Sequence, residues 1–234
     1  MEPSLPAVNV VWFKRDLRLL DHAPLAEACR RPLPILLLYL VEPMLVDDSH
    51  YSARHWRFIW QSIGDMDRQL EPYGARIQVV GAQAIGCLET ISRHYTIDTL
   101  FSHQETGLAN TFERDRDVRR WCRERQINWQ EFPSGAVIRG NKNRDDWDRH
   151  WNRVMRAPLE TPELAGHRFV YLDALKPFGA PSEWLQRDPL MQLGGETIAH
   201  DVIDDFYRER GQSYHLGISC PADSQRSCSR LSPY

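Results

Sequence analysis

Between Val8 and Phe132 the chain alternates short apolar runs with amphipathic stretches, and few folds tolerate that rhythm. Val8–Phe13 is apolar almost throughout, as a strand buried on both faces must be. Leu33–Val41, Arg76–Val80, Thr96–Ser102 and Ile127–Phe132 read as four more strands. Asp21 caps a short helix running to Cys29, with Pro24 in its first turn. Ser52–Tyr73 carries Trp56, Ile59, Trp60, Ile63, Met66 and Leu70 at three-four spacing, and Gly74 supplies the stop. Ile85, Leu88, Ile91 and Tyr95 mark another helix, and Asn110–Arg125 a charged one. Short links between alternating elements demand right-handed crossovers. The expected fold class is α/β, a Rossmann-like, doubly wound, five-stranded parallel sheet. Sites on such sheets lie beyond the carboxyl ends of strands, here Lys14–Leu20, Glu42–Tyr51, His103–Ala109 and Pro133–Val137.

After Phe132 the rhythm stops. Pro158, Pro162, Pro177, Pro181 and Pro189 punctuate a stretch without sustained period, as in a connector wrapped over the first domain. Helical pattern resumes at Glu196, with Ile198, Val202, Ile203 and Phe206 in one stripe ending near Gly211. The expected organisation is residues 1–133 as the α/β domain, 134–195 as the connector and 196–234 as the start of an all-α domain. Five cysteines without a CxxC pair favour reduced thiols, and no signal pattern or membrane-length apolar run occurs. The expectation is a cytoplasmic, monomeric protein with no membrane contact. A formal charge of −3 excludes a generally basic nucleic-acid coat but not local patches.

Neither GxGxxG after the first strand nor GxxxxGK[ST] is present, which disfavours a standard NAD dehydrogenase or P-loop enzyme. Lys14-Arg15-Asp16-Leu17-Arg18 reads as a salt-bridged loop tying the first strand to its neighbours, or as a basic rim for an anionic ligand. Glu105 follows the fourth strand, and Glu113 can reach the same crevice or compensate the helix dipole. Arg114–Arg156 holds twelve Lys/Arg against seven Asp/Glu, with Trp121, Trp129, Trp147 and Trp151 interleaved. That suits a solvated helix face followed by a connector anchored on buried tryptophans, or nucleic-acid stacking. At the other end, Ser229 and Ser232 are spaced to face one ligand, as a phosphate grip at a helix start requires.

Three ordered motifs resemble the photolyase/cryptochrome family of blue-light flavoproteins. Val10–Leu19 (VVWFKRDLRL) is similar to that family's VWFRRDLRL start, Glu113–Asp117 to its acidic-arginine helix, and Ser229–Tyr234 (SRLSPY) to its SRLSPYL flavin motif. The resemblance implies an antenna domain, a connector and a helical FAD domain. It implies FAD as cofactor, a second antenna chromophore of folate or deazaflavin type, and damaged DNA as partner. It also implies light-driven repair of pyrimidine dimers by electron transfer from reduced FAD, with the lesion flipped from the duplex. By position, Tyr214 resembles the tyrosine at the FAD phosphates, and Ser229 and Ser232 resemble hydroxyl donors there. Arg230 and Leu231 line the same turn, and Cys228 stands where many members have threonine. Glu113 matches a folate carboxylate, although Phe112 replaces the asparagine before it. Ile218 stands where some members place a DNA-contacting arginine. On this reading the chain is the amino-terminal portion of such a flavoprotein, inactive alone. A cryptochrome-type photoreceptor and a stand-alone nucleotide- or pterin-binding α/β module are the rival expectations.

Overall fold

The computed structural model describes residues 4–217 and 228–234. Its strands are β1 (Ala7–Phe13), β2 (Ile35–Leu40), β3 (Gln78–Val80), β4 (Thr96–His103) and β5 (Asn128–Phe132), all parallel in the order β3-β2-β1-β4-β5. The expected five-stranded, doubly wound sheet is present. Its chain order reverses between β1 and β4, so the crevice expected of such sheets opens there. β1 lies between two partners, and Val8 to Phe13 are all buried. Their side chains divide by face: Val11 and Phe13 join one core, Val8, Val10 and Trp12 the other.

The helices between strands are α1 (Ala23–Cys29), α2 (Pro43–Val46), α3 (Ala53–Leu70), α4 (Ala84–Ser92) and α5 (Ala109–Glu124). α3 buries Trp56, Ile63, Met66 and Leu70, as its spacing predicts, and Gly74 takes the left-handed conformation just beyond it (φ 63°). One cap differs from expectation. His22, not Asp21, caps α1, because its ring nitrogen accepts the Leu25 N–H at 3.1 Å. Asp21 turns through φ 51° and uses its carboxylate on the Glu160 N–H of the connector, 3.1 Å away.

The connector has more structure than its prolines suggest. α6 (Trp147–Met155) and α7 (Ser182–Leu185) lie within it. Trp147 and Trp151 do not anchor it: α6 buries no residue, and Trp151 is 43% exposed. The anchor is Trp184 of α7, stacked on Trp56 with ring centres 4.7 Å apart. Phe169 pairs beside Ile35, and Phe178 donates its N–H to Val79 at 2.9 Å. The connector thereby covers the open edge of β3, which would otherwise offer unpaired backbone groups.

α8 (Glu196–Arg208) starts where the helical pattern resumes, and α9 (Tyr214–Gly217) follows it. The start of α8 is fixed to α3. The Gly194 N–H reaches Gln61 Oε1 at 2.8 Å and the Thr197 N–H reaches Asp65 Oδ2 at 3.0 Å. A methyl at Gly194 would lie 2.1 Å from the Phe58 carbonyl, so only glycine allows this approach. Among the described residues no helix is long and apolar enough to cross a membrane.

Candidate functional site

A cavity of about 590 Å³ opens beyond the carboxyl ends of β1 and β2, walled on its far side by α8 and the closing segment. Volumes of this order suit a small organic cofactor. Trp12, Tyr39 and Tyr51 give it an aromatic lining, and Lys14, Glu42, Glu105 and Arg114 a charged one.

The β1–α1 loop is set by one buried carboxylate. Asp16 Oδ1 accepts the Lys14 N–H at 2.7 Å, while Oδ2 meets His22 Nε2 at 2.7 Å and His103 Nδ1 at 2.5 Å. Because His22 Nδ1 accepts the Leu25 N–H, its proton sits on Nε2 and is donated to Asp16. Burial alone would raise the Asp16 carboxyl, but the hydrogen bonds from His103 and His22 outweigh it and hold the group well below the usual range. Burial lowers His22 despite Asp16. The three side chains are grouped closely enough to suggest a metal. A zinc ion with bonds of about 2.0–2.1 Å would spread its ligand atoms to roughly 3.3 Å. At 2.5 and 2.7 Å the atoms are already joined by hydrogen bonds. The cluster is structural.

Lys14, next along the loop, lies between two indoles, 4.6 Å from the Trp12 ring and 5.4 Å from Trp129. Its Nζ pairs with Asp115 Oδ2 at 2.8 Å and donates to the His103 carbonyl at 3.2 Å. Burial lowers the Lys14 ammonium, with Asp115 opposing. Arg114, also over Trp12, links Asp115 Oδ1, Glu42 and Glu105, the last at 3.1 Å. Burial raises the Glu42 carboxyl against the pull of Arg114. The salt-bridged-loop reading is therefore right for Lys14 and Asp16. The rim retains cationic character through Arg15, half exposed and 3.5 Å from Glu105, and through Arg18, which lies on backbone carbonyls.

Of the residues expected to hold FAD, Ser232 lines the cavity, followed by Pro233 and Tyr234. Tyr234 packs on Phe58 with ring centres 5.3 Å apart and donates its hydroxyl to the Leu193 carbonyl at 2.7 Å. Cys228, Ser229, Arg230 and Leu231 are half-buried and do not line the cavity. Tyr214 meets Phe206 edge to face, with ring centres 5.4 Å apart. Glu113 is exposed on α5 and lies outside the cavity, whose carboxylates are Glu42, Glu105, Asp21 and Glu196. Ile218 lies outside the described residues. Sequence reasoning missed Arg114 and Arg210 as individual residues. Both sit among many surface arginines, and only the fold reveals that the side chains of these two are largely shielded from water.

The family model for DNA photolyase matches residues 9–151, from the first strand through most of α6. The chain belongs to the DNA photolyase family. Cryptochrome-2 of Gallus gallus is 28% identical over 222 residues, covering 84% of this chain and 38% of its own. The deoxyribodipyrimidine photo-lyase of Vibrio cholerae is 22% identical over 245 residues, covering 97% and 52%. Among solved structures, an archaeal photolyase from Sulfolobus tokodaii superposes with a TM-score of 0.71 at 20% identity, over 97% of this chain and 51% of that one. That protein was crystallised with two FAD molecules, implicating a novel light-harvesting cofactor. A Synechocystis cryptochrome gives the same TM-score at 18% identity. At these identities the superpositions establish the shared fold. The chain spans about half the length of these photolyase relatives, and 38% of the chicken cryptochrome.

The donor set offered by Tyr214 and the closing segment suits the phosphates of FAD. Ser229, Ser232, Arg230 and Tyr214 are hydroxyl, guanidinium and phenol groups, with no carboxylate among them.

Proposed function

We propose that this chain is the α/β domain, connector and opening of the helical FAD domain of a light-driven DNA repair flavoprotein. Its substrate would be a pyrimidine dimer flipped out of the duplex. The observation that carries the reading is the packing of Ser232-Pro233-Tyr234 as one wall of a cavity at the carboxyl edge of a photolyase-type sheet. Two motifs from opposite ends of the sequence thus meet at one place. When bound and reduced, the flavin supplies the electron that splits the dimer. The residues of this chain bind and orient: Tyr214, Ser229, Arg230 and Ser232 offer donors to phosphate, with Cys228 and Leu231 lining the turn.

The cavity itself suits a flat aromatic antenna, with Trp12, Tyr39 and Tyr51 as its apolar surfaces and Arg15 and Arg18 at the rim. This assignment requires nothing from Glu113. Light-dependent loss of dimers from irradiated DNA, absent in darkness, is expected of the protein that carries this chain. Unchanged dimers in the light, with flavin bound and reduced, would overturn repair. A photoreceptor of cryptochrome type is the second reading, favoured by the 28% identity to chicken Cryptochrome-2 against 22% to the photolyase. It predicts that negative repair result together with a light-induced change in partner binding.

A further inference from the structure

We propose that Arg210 and Gln192 are positioning residues that turn the backbone of the closing segment outward for an anionic ligand. The inference rests on the phosphate-binding reading of that segment. Arg210 has only 12% of its side chain exposed, although it lies just beyond α8 on a largely exposed surface. Its guanidinium reaches the Asp205 carboxylate, the Val202 carbonyl at 3.1 Å and the Cys228 carbonyl, with a weaker contact to the Ser229 carbonyl at 3.5 Å. It also lies over the Phe206 ring at 5.7 Å. Gln192 Nε2 takes the next carbonyl, that of Arg230, at 2.7 Å.

Three successive carbonyls are thereby drawn inward. In a trans peptide the following N–H points opposite to its carbonyl, so the N–H groups of Ser229, Arg230 and Leu231 are aimed outward. Among the described residues none accepts them. Among the described residues, Arg230 is also one of three non-glycine residues with positive φ, at 58°. A left-handed residue within such a run curves successive N–H groups into an anion-binding concavity. On this account neither Arg210 nor Gln192 touches the ligand. Each fixes carbonyls so that the main chain can.

The test uses the chain as it stands, with amide spectra recorded during ADP titration. Wild type is expected to shift the Ser229–Leu231 amides. Arg210→Gln and Gln192→Leu should each weaken ADP at least tenfold without moving the thermal midpoint of the sheet core. Arg210→Lys, which keeps the charge but loses the fork, should rescue only partly. Arg208→Gln, a variant of an exposed neighbour paired to Asp204, should bind as wild type does. Undiminished ADP affinity in Arg210→Gln would overturn the inference. Hydrogen exchange separates this from failure of the phosphate reading. Wild type that ignores ADP, with the Tyr234 amide, which donates to the Leu231 carbonyl at 3.1 Å, exchanging tenfold faster in Arg210→Gln, would sink the phosphate role and leave the tether. Unchanged exchange in that variant would remove the tether itself.

Discussion

β1 and the closing Ser229–Tyr234 segment carry equally specific sequence motifs, but they are held in place by different physics. β1 is paired along both edges, and its residues from Val8 to Phe13 are sealed from water. The closing segment has no ladder and no fully buried residue. A guanidinium, one glutamine amide and the Tyr234 phenol hold it. A motif in a sheet core is enforced by hydrophobic burial that no single contact dominates. A motif on the rim depends on a few named hydrogen bonds, and it can be released without unfolding the domain.

That contrast breaks most clearly at Asp16, where β1 itself relies on one polar group. Asp16→Ala would leave two buried histidines and the Lys14 N–H without their acceptor. The expected cost is about 3–5 kcal/mol, in the range for breaking a buried charged network. Urea unfolding followed by tryptophan fluorescence measures it. A loss below about 1 kcal/mol would mean that the loop is held by packing instead. Gly194→Ala tests the other region. Its methyl would collide with the Phe58 carbonyl and lift α8 from α3. A cost of about 1–3 kcal/mol is expected. Amide exchange should place the loss in residues 196–208, with the β1 amides unchanged.

The same contrast explains what the sequence made legible. The sheet followed from runs such as Val8–Phe13 and Leu33–Val41, because burial on two faces leaves only apolar residues in the pattern. The crevice followed from the doubly wound class, whose sites lie beyond the carboxyl ends of the strands. The identity of its charged partners did not, since Arg114 and Glu42 are 72 positions apart and each resembles a surface residue by composition. α6 escaped notice although Trp147, Trp151, Val154 and Met155 fall at helical spacing, because the stripe is short and finds no core to face. The cap of α1 was misassigned to Asp21 because aspartate is the commoner capping residue. Here Asp16 orients His22 so that the ring can cap instead.

Acid should weaken the β1 region. His22 has its folded value lowered by burial from an ordinary value of 6.5, so below that pH the unfolded chain takes up a proton that the native site refuses. Asp16, also lowered, contributes stability above the ordinary value of 3.8, and this is lost as pH falls through its folded value. Both groups make stability decline as pH drops, His22 from about 6.5 downward and Asp16 at lower pH. For His22 alone the slope approaches about 1.4 kcal/mol per pH unit at most. Urea midpoints at pH 7.5 and 5.5 should differ for wild type and differ less for His22→Gln. Equal differences would remove His22 from the account.

The smallest expected effect is a gain, and it marks where β1 departs from its own rule. Asn9 is fully buried in mid-strand, beside the shift in register between Val8 and Asn9 against β4. Neither its amide nitrogen nor its amide oxygen has a partner. Burying polar atoms without hydrogen bonds costs about 1–3 kcal/mol on mutational scales, and valine removes both atoms while favouring the strand. It is also somewhat larger than asparagine, and crowding offsets part of the gain. Asn9→Val should therefore stabilise by about 1 kcal/mol, read as a higher urea midpoint with an unchanged slope. Nothing at the cavity should change, because Asn9 lies in the amino-terminal half of β1 and does not line it. A destabilised variant would show instead that the amide is satisfied by water held within the sheet, and that β1 contains a polar anchor of its own in addition to Asp16 in the loop that follows it.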